Sequence, residues 1–290
     1  MEVISSLMVG LPMQFNSKTI NNLKKISNDL RISIVKAIFK VKKGHIGGSF
    51  SCLDILVSIY HSNLFKLRKK NFIKKNNDIF ILSKGHSAIA LYSVLNSIKL
   101  SNSFDLKNFH KQGGALMEHP SPNSKLPGIE IETGSLGNGI GIGAGMAYVE
   151  KKKFIIVLVG DGELYEGSNW EAMMMASHYN LKNILVIVDR NYSITLDKTE
   201  NVIKLENLKD KIKAFGFETT VVDGHNYKKV IQNLKKFKLK KGIKPSCMIC
   251  NTVKGIGSGV LEGDLKFHHA VPNEAEYKKI LLDLNKNYAH

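Results

Sequence analysis

The chain has only three cysteines in 290 residues: Cys52, Cys247 and Cys250. That number cannot build a disulfide framework. Cys247 and Cys250 are spaced as a CxxC, but they fall in a run, Ser246–Val253, that predicts a buried strand. Residues three apart on a strand face opposite ways, so the pair is not placed to share a metal or a disulfide. The reading is of buried structural thiols in a reduced, cytoplasmic chain. No stretch approaches the ~20 apolar residues a membrane helix needs. Residues 1–13 are mildly apolar but open with Glu2 and lack a basic leading segment, which argues against a secretory signal. Acidic residues are also in deficit, 25 against 42 Lys and Arg, for a formal charge of +17. That balance invites a nucleic-acid reading. However, the lysines are spread along the chain, and the densest runs, Arg68–Lys75 and Lys235–Lys241, lack interleaved aromatics. They read as solvated helix faces and connections, so neither nucleic acid nor a membrane is an expected partner.

No internal repeat, low-complexity tract or linker divides the chain. With 43% hydrophobic residues it can bury a large core, so one domain over 1–290 is expected. Ile20, Leu23, Ile26, Leu30, Ile34, Ala37, Ile38 and Val41 recur at helical spacing and predict a helix over 17–43. Ser17 suits its N-cap, and Gly44 the left-handed position past its end. Further helices are expected over 52–63, 87–98, 140–151, 168–179, 205–215, 227–237 and 273–284. Strands are expected over 79–82, 154–159, 184–188, 218–222 and 247–252. Residues 103–132 form a long connection punctuated by Pro and Gly, and connections of that length are usually functional or disordered. Strands alternating with helices predict an α/β fold, a doubly wound, mostly parallel sheet flanked by helices.

Two strand ends carry the chemistry. Gly160-Asp161-Gly162 closes one apolar run, and Asp189-Arg190-Asn191 closes the next. Open α/β sheets bind ligands at the carboxyl edge, where these residues fall. A carboxylate and an amide oxygen are hard ligands suited to Mg²⁺, and Gly160 and Gly162 leave room for a phosphate beside them. A glycine-rich stretch, Gly134-Ser135-Leu136-Gly137-Asn138-Gly139, runs into Gly141, Gly143 and Gly145. It admits a rival reading: Gly139-x-Gly141-x-x-Ala144 fits a degenerate dinucleotide fingerprint, with Asp161 twenty residues past Gly141. Against this NAD(P) reading, the preceding run 128–133 carries Glu130 and Glu132, unsuited to a buried first strand, and Asn191 is left without a role. Histidines beside glycines or in loops form a third group: His45, His86, His119, His268 and His269. Imidazoles at such junctions can bind hydroxyls or phosphate oxygens and move protons near neutral pH. His61, His110, His178, His225 and His290 lack that context and read as structural. Glu166 either ties the Asp161 loop to the next helix or complements that helix's N-terminus.

Seven stretches in one order resemble the amino-terminal half of transketolase, and more closely the N-terminal subunit of its split, two-chain form. They are Lys43-Gly-His-Ile-Gly-Gly48, Leu82-Ser-Lys-Gly-His86, Thr133-Gly-Ser-Leu-Gly-Asn-Gly139, Val159-Gly-Asp-Gly-Glu163 with Glu166-Gly167, Ile187-Val-Asp-Arg-Asn191, Asp223-Gly-His225 and Phe267-His-His269. The resemblance implies thiamine diphosphate and Mg²⁺ (Ca²⁺ or Mn²⁺ substituting) as cofactors. The reaction it implies is transfer of two-carbon ketol units between sugar phosphates, as in the pentose phosphate pathway. Asp161, Asn191 and the carbonyl of Ser193 would bind the metal. Gly162 and His86 would contact the diphosphate, with Gly160 beside them and Glu166 holding that loop. Gly134 and Leu136 would line the aminopyrimidine and thiazolium. His45, His119 and one of His268 and His269 would contact substrate hydroxyls. The activating glutamate of the family belongs to a pyrimidine-binding domain, expected here on a C-terminal partner subunit, with two copies of each chain. A deoxyxylulose-phosphate or dihydroxyacetone synthase is the alternative within the class, and a scaffold without cofactor the alternative outside it. Where family members often carry Gly after the metal-binding Asn, this chain has Tyr192, which puts the local turn in question.

Overall fold

The computed structural model describes residues 17–67, 77–124 and 126–286. The N-terminal 1–13 segment, the basic run Arg68–Lys75 and His290 lie outside the described residues. Five parallel strands form one sheet: β1 (Ile79–Leu82), β2 (Ile155–Gly160), β3 (Ile184–Arg190), β4 (Glu218–Asp223) and β5 (Ser246–Asn251), in the order β1-β2-β3-β5-β4. Helices precede and separate them: α1 (Ser17–Val41), α2 (Ile46–His61), α3 (Ala88–Ser97), α4 (Gly139–Val149), α5 (Gly167–His178), α6 (Thr199–Val202), α7 (Leu208–Ala214), α8 (Tyr227–Leu239) and α9 (Glu274–Lys286).

Alternation along the strands sorts the core into two layers. Ile156, Leu158, Leu185, Ile187, Met248 and Cys250 face α1, α2, α3 and α8, with α9 against α1. Ile155, Val157, Val159, Val186, Cys247 and Ile249 face α4, α5 and α7. Both faces of β2 and β3 are buried, which explains their unbroken apolar runs. The two CxxC cysteines fall in opposite layers, as the strand spacing requires. Within the sheet, Gly160 pairs with Asp189, so the residues following β2 and β3 emerge side by side. The crossover order, in which β5 inserts between β3 and β4, makes this carboxyl edge the natural binding crevice.

Glycine on α4 sets how closely that helix sits on β2. A Cβ at Gly143 would lie 2.6 Å from Val157 Cγ2. Gly143→Ala is therefore expected to destabilise the chain by about 1–3 kcal/mol through overpacking, read as a lowered melting temperature. A melting temperature at or above that of the parent would show that α4 can lift away freely.

Several boundaries differ from the sequence reading, each for a packing reason. Helix α2 starts at Ile46 rather than 52, so Gly47 and Gly48 are helical despite glycine's poor propensity. A Cβ at Gly47 would meet Phe267 O at 3.1 Å, and one at Gly48 the His86 ring at 3.2 Å. These glycines admit close neighbours rather than ending a helix. Helix α1 ends through Lys42 in the left-handed region, not Gly44, and it already includes Ser17. His45 lies at the junction between α1 and α2, and His86 at that between β1 and α3, as their places beside glycines suggest. Among the described residues, the 103–132 stretch holds only short 3₁₀ turns, and 128–133 forms no strand. The dinucleotide reading thus lacks the strand its glycine turn must follow. Among the described residues, no helix is long and apolar enough to cross a membrane.

Candidate functional site

A cavity of about 250 Å³ opens at the carboxyl edge of the sheet. Of the residues the sequence nominates, Asp161, Asn191, Ser193, Gly160, Gly162, Leu136, His86 and His268 all line it. Gly134 and His119 line a separate hollow of about 400 Å³ with Thr133 and Asn138. His45 and His269 line neither, yet the His45 ring centroid lies 4.7 Å from that of His269 and 5.7 Å from that of His268.

Asp161 caps the 3₁₀ turn after β2, its Oδ1 accepting from Gly162 N at 2.9 Å. Its Oδ2 accepts from Tyr192 N at 2.7 Å and from the Arg190 guanidinium at 3.2 Å. Even so, burial, with Asp189 nearby, outweighs the Arg190 charge and lifts the carboxyl to about 6. Arg190 divides its charge among three carboxylates, with Glu200 at 2.5 Å and Glu206 at 3.1 Å besides Asp161. The crevice therefore holds a carboxylate that would gain from one more cation. Asn191 follows β3, and its Oδ1 accepts from Ser193 N at 3.1 Å, a local turn that brings the Ser193 backbone to the same wall.

Tyr192 answers the question its identity raised. It adopts φ +61°, the left-handed conformation that glycine would take most easily. The ring lies against the Arg190 guanidinium, 4.3 Å from its centroid, and the hydroxyl reaches Asn251 Oδ1 at 3.2 Å. Stacking and a hydrogen bond thus hold the turn that backbone preference alone disfavours.

Two buried lysines supply the positive wall, and the sequence reading missed both. Lys84 Nζ meets Asp189 Oδ2 at 2.5 Å and Gly48 O at 3.0 Å. Burial opposes its charge, but Asp189 more than offsets this and holds the amine above the ordinary lysine value. Lys254 donates to His268 Nδ1 at 2.9 Å, and burial with Lys84 nearby pushes it down to about 8. His225, read as merely structural, anchors this segment: its Nδ1 meets Asp54 at 2.7 Å and its Nε2 accepts from Val253 N at 2.9 Å. The signals available were Lys84 inside Leu82–His86 and Lys254 at the end of the last strand run.

Glu163, not Glu166, holds the loops together. Its Oε1 accepts from the Ser83 hydroxyl and from Gly137 N at 3.0 Å, and its Oε2 from Gly160 N at 3.2 Å. Burial still raises its carboxyl above the ordinary value. Glu166 is exposed at the N-cap of α5 without a side-chain cap bond, packing its Cβ toward Gly137. The carboxylate nearer Asp161 in sequence points inward because the 3₁₀ turn folds it under the crevice.

Three of the histidines are neutral at pH 7. Burial lowers His45 to about 4 and His268 to about 3, and puts His86 well below its ordinary value. Neutral imidazoles both donate and accept, which suits them to hydroxyl groups.

A doubly wound sheet whose carboxyl edge gathers a carboxylate, a carboxamide and two buried ammonium groups over one crevice defines an α/β domain built to bind an anionic ligand. Residues 22–287 match the sequence profile described as "Transketolase, thiamine diphosphate binding domain". The chain belongs to the transketolase family, as its thiamine diphosphate binding part. It is 33% identical over 271 residues to one subunit of the apulose-4-phosphate transketolase of Phocaeicola vulgatus, covering 92% of this chain and 95% of that one. It is 32% identical to the 6-deoxy-6-sulfo-D-fructose transketolase subunit SqwG of Clostridium sp., covering 92% and 98%. Among solved structures, transketolase from Leishmania mexicana superposes with a TM-score of 0.83 at 27% identity, covering 91% of this chain and 41% of that one. Transketolase from Campylobacter jejuni gives 0.81 at 31% identity, covering 91% and 43%. The chain thus spans about two-fifths of the solved transketolases it matches.

Proposed function

We propose that this chain is the diphosphate-binding, N-terminal subunit of a two-chain transketolase, working with a C-terminal partner in the cytoplasm on ketose and aldose phosphates. The single observation that carries the reading is the buried Asp161 carboxylate, short of counter-charge, facing the same cavity as Asn191 and Ser193. Mg²⁺ bound by Asp161, Asn191 and the Ser193 carbonyl would supply that charge with the oxygen ligands it favours. The donor set also fits a diphosphate: Lys84, Lys254 and His86 present cationic or N–H groups, and Gly162 lines the same cavity. A Cβ at Gly162 would meet Ile194 Cγ2 at 2.3 Å.

When bound, thiamine diphosphate supplies a carbanion-stabilising heterocycle for breaking and forming the bond beside a ketose carbonyl. This chain's residues would hold and orient. Lys84 and Lys254 neutralise phosphate charge at the sheet edge, Leu136 contributes apolar wall, and Gly134 keeps the second hollow open. His45, His119 and His268 accept from or donate to sugar hydroxyls and carry protons there. We assign that role to His268 over His269, because His268 lines the crevice and is fixed by Lys254 and Thr195. Glu163 takes the loop-holding part.

Dependence on a partner is supported by relatives that are each named as one subunit of a transketolase and that this chain covers almost fully. The expected result is no ketol transfer by the chain alone and Mg²⁺-dependent transfer when the partner is added, in a coupled assay with a panel of sugar phosphates. Full turnover by the chain alone would sink the two-chain part. Absence of thiamine diphosphate binding with Mg²⁺ and partner present would sink the whole reading. The panel also decides among the sugars named for the relatives.

A further inference from the structure

Three imidazoles converge beside the crevice. His45 sits immediately before α2, and His268 and His269 end the 3₁₀ turn at Leu265–His268. Each offers one ring nitrogen, and the three nitrogens lie within 4.8 Å of one another. The ring centroids of His268 and His269 are 4.5 Å apart. We propose that His45, His268 and His269 form a binding site for a transition-metal ion of the zinc class, distinct from the oxygen ligands of Asp161 and Asn191.

Tetrahedral Zn²⁺ with Zn–N near 2.0–2.1 Å places its nitrogens about 3.3 Å apart. The nitrogens, within 4.8 Å of one another, draw in to that spacing when the ion binds. His269 is exposed. His45 is buried and already oriented, with Glu118 Oε1 3.2 Å from its Nδ1. That nitrogen has no hydrogen-bond partner, and the carboxylate beside it adds negative potential that favours a cation. His268 keeps Nδ1 on Lys254, and its Nε2 meets the Thr195 hydroxyl at 3.1 Å, which a rotation of Thr195 can release. The Lys254 amine opposes a cation here, whereas Glu118 favours one. An ion that gains from bonding to nitrogen overcomes that opposition and a purely electrostatic one does not, which separates Zn²⁺ from Mg²⁺. Three protein nitrogens leave a fourth position open.

The proposal rests on imidazole geometry and stands apart from the cofactor reading. If that reading holds as well, the ion takes the place assigned to sugar hydroxyls, and Zn²⁺ inhibits competitively with the donor sugar. The test is calorimetric titration of ZnCl₂ into the full chain in excess Mg²⁺, with Co²⁺ absorption as a spectroscopic check. One Zn²⁺ per chain is expected, with the visible bands of a four-coordinate, nitrogen-ligated Co²⁺. His269→Ala, at an exposed position, should fold normally and remove the stoichiometric binding. Glu118→Gln should weaken it, because the nearest negative charge is removed. Absence of saturable binding overturns the proposal, as does parent-like binding by both His269→Ala and His45→Ala. Thiamine diphosphate binding, measured in parallel, is expected to survive in His269→Ala, so failure of the ion site is distinguishable from failure of the cofactor reading.

Discussion

Asp161→Asn should abolish Mg²⁺-dependent thiamine diphosphate binding, by more than the ~100-fold that loss of a mere supporting group can cause, while leaving the cofactor-free chain no less stable at pH 7.5. The first half follows from removing the only anionic oxygen proposed as a metal ligand. The second follows from linkage. An Asp raised to about 6 in the fold binds its proton more tightly there than in the unfolded chain. Its contribution therefore favours the fold at low pH and is lost as pH rises through about 6. Above that window the ionised group opposes folding by something on the order of 1–3 kcal/mol. The amide removes that opposition, partly offset because its NH₂ would face the Gly162 N–H. Thermal melts of the cofactor-free parent and variant across pH 4–8 should thus diverge in the variant's favour between about 4 and 6 and then run parallel. A variant that binds thiamine diphosphate like the parent would remove Asp161 from the site. A variant that loses stability relative to the parent as pH rises would show that Arg190, not burial, sets the balance.

Lys84→Met is expected to have the largest effect on stability. It leaves Asp189 ionised at the sheet edge with no cation at 2.5 Å. Breaking one side of a buried pair costs about 3–5 kcal/mol, a large part of the 5–15 kcal/mol typical of a folded protein. A fall of roughly 10 °C in melting temperature is the expected reading. Asp189 retains hydroxyl donors, Ser51 at 2.6 Å and Thr252 at 2.5 Å, so the double variant Lys84→Met/Asp189→Asn should recover much of the loss. If the double variant is as unstable as the sum of the singles, the two groups are not coupled and the argument fails. Diphosphate affinity should stay low in both, since the ammonium is gone either way.

How much of this was legible in the chain divides along physical lines. Strand runs such as Ile155–Val159 could be read because a doubly buried parallel strand leaves a plain apolar signature. Asp161 and Asn191 could be read because strand ends in such a sheet have a fixed address. The start of α2 could not, since glycine's weak propensity says nothing of the His86 ring and Phe267 carbonyl that pack against Gly47 and Gly48. Lys84, Lys254 and Glu163 were missed for a related reason. Burial of a charge is decided by partners distant in sequence, and Lys84 meets Asp189 across 105 positions. The family resemblance put His45 in one site with either His268 or His269, but nothing in the spacing foretold that both rings would pack against His45.

The pairing of Gly160 with Asp189 has a consequence for how such a site can change. Neighbouring strands shift against each other only by whole residues, in steps of roughly 3.3 Å. The offset of the residues that leave β2 and β3 is therefore set in coarse steps, and a one-residue slip would also turn every side chain to the opposite face. Any adjustment to a larger ion or a different phosphate ester must be made in the short turns at Gly162 and Tyr192, where backbone angles vary continuously. The sheet acts as a ruler with coarse marks, and the turns as its vernier.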